Sequence, residues 1–324
     1  MLSSAEKKYI SILVCVFAFW SFLSANADNA SKSADIASAA ADLKVSLKSG
    51  MRTILAGLSE RIPASEFGKL PDGLEIIEGK GFRGLKMQCE KLDINVHTWH
   101  EDEGLLAQYK KCKAENDNLV AAINGSFYSE RGVLGQVIVN SGIPWIKQIP
   151  GRLSRCFVCS FRGSKDVQFC YLGETSLKAT ELLSKYEKEM VWFNGNAMST
   201  LNIEYLLGGG GWILKQRKDA HNEAIDRQYF KFRREDQTSR KTVIAQDSER
   251  SLYFLVFEEG FTLHMVAREF VKNKIFEKVQ DAIFLDGGSS SCIVLKGKYL
   301  VPPLYLVDKA RFSCINIVKI NFGF

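Results

Sequence analysis

Residues 283–294 read IFLDGGSSSCIV. An apolar strand runs up to one acid, Asp286, breaks into Gly287, Gly288 and three serines, and resumes as an apolar run. Strand pairing needs no carboxylate at that point, and two glycines weaken a strand because they lose the most backbone freedom on ordering. The pattern predicts a strand–turn–strand corner. At its tip a carboxylate lies beside backbone N–H groups that no side chain shields, an arrangement able to hold an anion or a sugar against an acid. Asp-Gly is also a common turn dipeptide, so a corner simply capped by Asp286 accounts for the same letters.

A second turn upstream has the same design. Leu119–Ile123 (LVAAI) feeds Asn124-Gly125 as Ala282–Leu285 feeds Asp286-Gly287-Gly288. If the two strands share a sheet and a polarity, both turns fall on one edge, bringing Asn124 and Asp286 together. Around them the chain alternates short strands with a few helices. Leu92–Trp99 alternates strictly and reads as a half-buried strand. Asp102–Glu115 reads as a helix with Leu105, Leu106 and Tyr109 on one face. Val133–Val139 reads as a strand, and residues 152–172 as a hairpin that would set Cys159 opposite Cys170. Helices are expected at Ser176–Lys188 and at Thr262–Asn273, the latter capped by Thr262. Gly208–Gly211 is expected to precede a strand at Trp212–Leu214, and Thr242–Ala245 to pair with Leu252–Phe257 across a turn at Asp247–Arg250. No strict βαβα alternation appears, so a doubly wound fold is not supported. The expected class is α+β: a mixed β-sheet core with a few packed helices.

The composition, 46% hydrophobic and 25% charged over 324 residues, belongs to a folded protein with length for a large core. Lys7 and Lys8, the apolar run Tyr9–Leu23 and the Ala25-Asn26-Ala27 site together form a secretory signal peptide pattern. The apolar run is shorter than the roughly 20 residues that a membrane span needs. The chain therefore divides into a signal peptide (1–27), an Ala/Ser/Lys-rich linker or helical segment (28–69) and one domain (70–324), with a secreted or periplasmic destination. An uncleaved anchor is the alternative. The net charge of +6 is a mild basic excess that suits anionic glycans or cell-wall polymers. Its basic residues lie in short patches, such as Arg233-Arg234, without aromatic interleaving or a nucleic-acid motif.

Seven cysteines follow Cys15: Cys89, Cys112, Cys156, Cys159, Cys170, Cys292 and Cys314. Export permits disulfides, with Cys159–Cys170 and Cys292–Cys314 as candidate pairs. An odd number leaves at least one thiol over. His97, His100, His221 and His264 show no ligand spacing and read as packing or surface residues.

The runs AAINGSFYSERGVLGQVIVNSG, LGGGGWILKQRK, SRKTVIAQDSERSLYFLVFEEGFTLHMVAREF and FLDGGSSSCIVL occur in that order. Together they resemble the phosphodiester glycosidase family, over about residues 84–320. The family pattern Asn-Gly-Gly-Phe has Ser126 at its second glycine here. The family's Arg-Thr becomes Arg240-Lys241-Thr242, so either Lys241 takes the arginine's place or Arg240 is shifted by one. A lysine is a point charge without the arginine's bidentate grip on phosphate.

The resemblance implies an exported hydrolase that cleaves a sugar's anomeric carbon from a phosphodiester oxygen. Its partner would be a phosphorylated glycan, cell-wall polymer or exopolysaccharide. The leaving phosphate monoester is already a stable anion, so protonating it matters less than in ordinary glycoside hydrolysis. Such a site needs one carboxylate near the anomeric carbon and donors around the phosphate. Asp286 is the candidate carboxylate, with Asn124 and Lys241 as its catalytic companions. Gly125, Arg240, Thr242, Gly287, Gly288, Ser289, Gly209 and Gly210 are the candidate substrate- and phosphate-binding residues. Glu204 and Asp247 are candidates for a second acid. Asp286 and Asn124 could ligate a hard cation, but two oxygen ligands are too few to argue one, and the sequence leaves the cofactor open. Two rivals use the same cleft: a non-catalytic glycan-binding or envelope-assembly protein, and an ester hydrolase acting through Asp286 or Ser289.

Overall fold

The computed structural model describes residues 61–98, 103–129, 132–133, 137–139, 156–164, 167–171, 190–193, 196–199, 203–226, 238–304 and 313–319. The signal peptide, most of the 28–69 segment, His100 and the Ser176–Lys188 helix lie outside these residues. Strands are numbered in chain order. The larger sheet holds β1 (Leu74–Gly79), β2 (Phe82–Gln88), β7 (Val137–Val139), β8 (Cys156–Phe161), β9 (Val167–Tyr171), β12 (Ile203–Lys215), β13 (Lys218–Asp219), β14 (Lys241–Asp247), β15 (Ser251–Phe257) and β16 (Val279–Phe284). Its main path runs β1-β2-β15-β14-β16-β12-β8-β9, with β7 and β13 paired to β12. The smaller sheet holds β3 (Leu92–Thr98), β4 (Leu119–Asn124), β17 (Ile293–Leu295), β18 (Lys298–Val301) and β19 (Ser313–Lys319), in the order β18-β17-β4-β19-β3. Two short pairs stand apart: β5 (Tyr128–Ser129) with β6 (Gly132–Val133), and β10 (Met190–Phe193) with β11 (Asn196–Ser199).

The two sheets pack face to face, and a helix covers the outer face of each. Strand alternation explains this layering, because successive side chains point to opposite faces. Ile244 and Ile283 of the larger sheet bury into one cluster with Ile94, Val120, Ile123 and Ile315 of the smaller. Their neighbours Val243, Ala245 and Phe284 point the other way, into a cluster with Val266 and Phe270 of the helix Leu263–Lys272. The helix Leu105–Glu115 covers the smaller sheet, packing Leu105, Tyr109 and Cys112 on Ala122, Val294 and Cys314. Among the described α-helices these are α1 (Leu105–Glu115) and α3 (Leu263–Lys272), with the short α2 (His221–Asp226) between them. Helix α3 starts where Thr262 Oγ1 accepts the Met265 N–H at 3.1 Å. It buries Leu263, Val266, Ala267 and Phe270, the i, i+3, i+4, i+7 stripe of an amphipathic helix. Full burial of a side chain such as Phe270 stabilises by about 1.5–3 kcal/mol.

The fold is α+β and sheet-rich, and every strand pair among the described residues is antiparallel. Four local expectations are corrected. First, Gly208–Gly211 does not precede a strand but lies inside β12, which runs through it with a register shift between Gly208 and Gly210. Second, Val133–Val139 is not one strand; β6 ends at Val133 and β7 begins at Val137. Third, the β8–β9 register sets Cys159 opposite Gln168 and Cys170 opposite Phe157, so the two cysteines are not a facing pair. Fourth, Cys314 is a thiol whose sulfur donates to Asn316 Oδ1 at 3.3 Å, so it does not bridge to Cys292.

Candidate active site

The two polar turns close different sheets: β4 delivers Asn124 from the smaller and β16 delivers Asp286 from the larger. The condition of one shared sheet is not met, yet the tips meet. Residues 286–291 are the crossing by which the chain leaves β16 and enters β17, and β17 pairs with β4. The crossing therefore carries Asp286 onto Asn124.

Asn124 is the knot. Its side chain is 1% exposed. Nδ2 donates to the Asp286 carbonyl at 2.8 Å. Oδ1 accepts from the Thr242 hydroxyl at 2.9 Å and from the Cys292 N–H at 3.1 Å. One amide thus binds both ends of the crossing and strand β14. An asparagine suits this role because it offers donor and acceptor on one planar group. Below it, the Asp286 N–H donates to the Gly125 carbonyl at 3.3 Å. The Gly125 N–H donates to Ser313 O at 3.0 Å, and a Cβ on Gly125 would lie 2.5 Å from Ser313 Oγ. Backbone approach this close admits only glycine. Ser126 is buried, and its hydroxyl donates to the Gly208 carbonyl of β12. The serine at this family position thus fastens the Asn-Gly turn to the glycine-rich strand, whose Gly210 packs against the Phe284 carbonyl.

The Asp286 turn is a single 3-10 turn over Gly288–Ser290. Gly288 has φ of 63°, a left-handed conformation that favours glycine, and its N–H donates to the Arg240 carbonyl at 2.9 Å. A Cβ on Gly287 would lie 2.6 Å from the same carbonyl. Ser290 and Ser291 donate their N–H groups back to Gly287 and Gly288. Among the described residues, the N–H groups of Gly287 and Ser289 donate to no backbone carbonyl. The Ser291 hydroxyl lies 3.1 Å from that of Thr242, and Ser290 Oγ lies 3.4 Å from the Tyr128 hydroxyl.

Strand alternation separates Arg240, Lys241 and Thr242. Thr242 faces Asn124 and Ser291. Lys241 is 2% exposed, and its ammonium donates to Ser239 O, Ser239 Oγ and Phe261 O at 2.8, 2.7 and 3.0 Å. Three donors are met by three acceptors within the chain, so Lys241 is a buried strut on the face opposite Thr242. Arg240 lies against the Asp286 turn through its carbonyl. Its Nη1 donates to Pro302 O at 2.6 Å, which leaves other guanidinium donors. Burial pushes its guanidinium below the ordinary value, and Glu259 partly opposes this.

The structure therefore brings Asn124, Gly125, Arg240, Thr242, Gly287, Gly288 and Ser289 together with Asp286, and it brings Gly208 to their edge. Asp247 is elsewhere. It caps the far β14–β15 turn, accepting the Glu249 and Ser251 N–H groups and the Tyr253 hydroxyl. Glu204 lies near the start of β12. Ser313 and Tyr128 were not singled out in the sequence, and Ser291 stood there only as one of the three serines of the Asp286 turn, because their contacts join segments far apart in the chain.

Residues 117–311 match the phosphodiester glycosidase family. The chain belongs to that family. Membership carries a general hydrolase role on phosphodiester-linked sugars. The phosphodiester glycosidase fold is also seen in the zebrafish N-acetylglucosamine-1-phosphodiester alpha-N-acetylglucosaminidase catalytic domain auto-inhibited by its pro-peptide. That structure superposes with a TM-score of 0.53 at 17% identity, over 76% of this chain and 82% of that one. A hypothetical protein from Synechocystis aligns over 76% of this chain and 61% of its own, at 12% identity and a TM-score of 0.46. No curated protein matches by sequence. No described helix is long and apolar enough to cross a membrane.

Proposed function

We propose that this phosphodiester glycosidase is an exported enzyme that hydrolyses the glycosyl–phosphate bond of a sugar-1-phosphodiester in a glycan, cell-wall polymer or exopolysaccharide. The observation that carries this reading is the Asn124 knot, which sets the acid-tipped crossing between the two sheets beside Arg240. Asp286 stabilises the charge that develops at the anomeric carbon and takes the proton of the attacking water. The C1–O bond breaks with its electrons passing to the phosphate monoester, which needs little protonation to leave. Arg240 and the N–H groups of Gly287 and Ser289 hold the phosphate, where charge-assisted bonds are strongest. Asn124 and Thr242 act through Asp286 and are positioning residues.

The test is release of free sugar from the methyl phosphodiester of N-acetylglucosamine-1-phosphate, followed in wild type and Asp286→Asn. The expected loss of kcat in the variant is on the order of 10²-fold or more. Glycan binding with no sugar released by the wild type would instead favour the non-catalytic reading. A covalent adduct on Ser289 would favour the ester hydrolase.

A further inference from the structure

Outside the site just described, three side chains from three elements converge. Asp219 ends β13, His221 opens α2, and His264 lies in the first turn of α3. Their ligand atoms, a carboxylate oxygen and two ring nitrogens, all lie within 4.8 Å of one another. His221 Nδ1 is 2.5 Å from Asp219 Oδ1, and the His221 and His264 rings lie 5.0 Å apart between centroids. Asp219 Oδ1 also accepts the His221 backbone N–H at 3.1 Å, which holds the carboxylate beside Nδ1 of the buried imidazole.

We infer that Asp219, His221 and His264 form a binding site for a borderline divalent metal ion of the zinc type. Two imidazoles and a carboxylate are the donor set that such ions prefer, whereas calcium and magnesium take oxygen ligands. Three protein ligands leave a fourth tetrahedral position for water or another donor. Ligand atoms of a tetrahedral site stand roughly 3.3 Å apart at bond lengths near 2.0–2.2 Å. Two of the three residues are exposed, which gives their side chains room to adjust to that spacing. The neighbouring cation Lys215 is held by Glu223 at 3.9 Å. The ion would clip the corner after β12 to the start of α3, three residues beyond Phe261, whose carbonyl holds Lys241. Sequence spacing hides the site because His264 lies 43 positions after His221.

The test uses the full chain with no affinity tag. Zinc(II) chloride is titrated calorimetrically into wild type, H264A and D219A, and cobalt(II) absorption identifies the donor atoms. His264 is exposed, so H264A does not threaten the core. The expected result is one zinc per chain, bound at least about tenfold more weakly by each variant. The cobalt spectrum should show d–d bands without a thiolate charge-transfer band. Failure of the wild type to take up zinc, unchanged affinity in either variant, or a thiolate band would each overturn the site.

Discussion

At the scale of single residues, Asn124 shows how one buried amide can hold the acid-tipped crossing between two sheets. Its three bonds reach β16's end, β17's start and β14. Asn124→Ala removes all three. The Thr242 hydroxyl can turn to Ser291, but the Cys292 N–H loses a partner away from water and the half-buried Asp286 carbonyl loses one as well. At about 1–3 kcal/mol for each such group, the expected destabilisation is roughly 2–4 kcal/mol, read as a lower urea midpoint. Arg240 and Lys241 give a second prediction. The sequence left the phosphate partner open between them, because both are cations beside the same threonine. Backbone alternation decides which one faces the turn, and it turns the Lys241 ammonium to Ser239 and Phe261. Arg240→Ala should raise KM for the phosphodiester or lower kcat by tenfold or more. Lys241→Met should lower stability while leaving the kinetics of the folded enzyme within a few-fold. Steady-state kinetics paired with denaturation curves separates the two, and the reverse pattern would return the phosphate to Lys241.

At the scale of elements, the meeting of β4 with β19 depends on a missing side chain. Gly125→Ala places a Cβ 2.5 Å from Ser313 Oγ and 2.8 Å from its carbonyl. Strand β19 must then move off the end of β4, at an overpacking cost of about 1–3 kcal/mol. The same motion pulls the Gly125 carbonyl from the Asp286 N–H, so activity should fall further than stability, with thermal melting and turnover measured on the same sample. Both turns were legible in the sequence because apolar strands ending in Asn-Gly and Asp-Gly-Gly have a local chemical signature. The hairpin of β14 and β15 and the Thr262 cap were legible for the same reason. What stayed hidden was allocation. Whether β4 and β16 share a sheet depends on pairings such as Ile293 with Ile123, which no local pattern encodes. The strand through Gly208–Gly211 was hidden by its glycines, which read as a break. They instead let Cys156 and the Phe284 carbonyl approach β12 from either side.

At the scale of the whole molecule, two sheets and their covering helices bury acidic protons as well as apolar surface. Burial pushes the Cys89 thiol from 9.0 up to about 12, and it also raises Cys112 and Cys314. The Tyr109 and Tyr205 phenols are raised by burial, and Tyr253 by burial and then by Asp247. In each case the neutral form is the one the interior accepts. The unfolded chain releases these protons at the ordinary values, so above those values the folded state binds more protons than the unfolded state does. Stability is then fully present below about pH 9 and declines as pH rises through the folded values. Each group in its window contributes a slope of about 1.4 kcal/mol per pH unit. Urea unfolding between pH 7 and 11 should show a flat region and then a steep alkaline loss. Cys89→Ala exchanges a constant packing cost for one fewer titrating proton. Its curve should start lower at pH 7 and converge on the wild type as pH rises. Parallel curves would show that the Cys89 proton is not held by the fold.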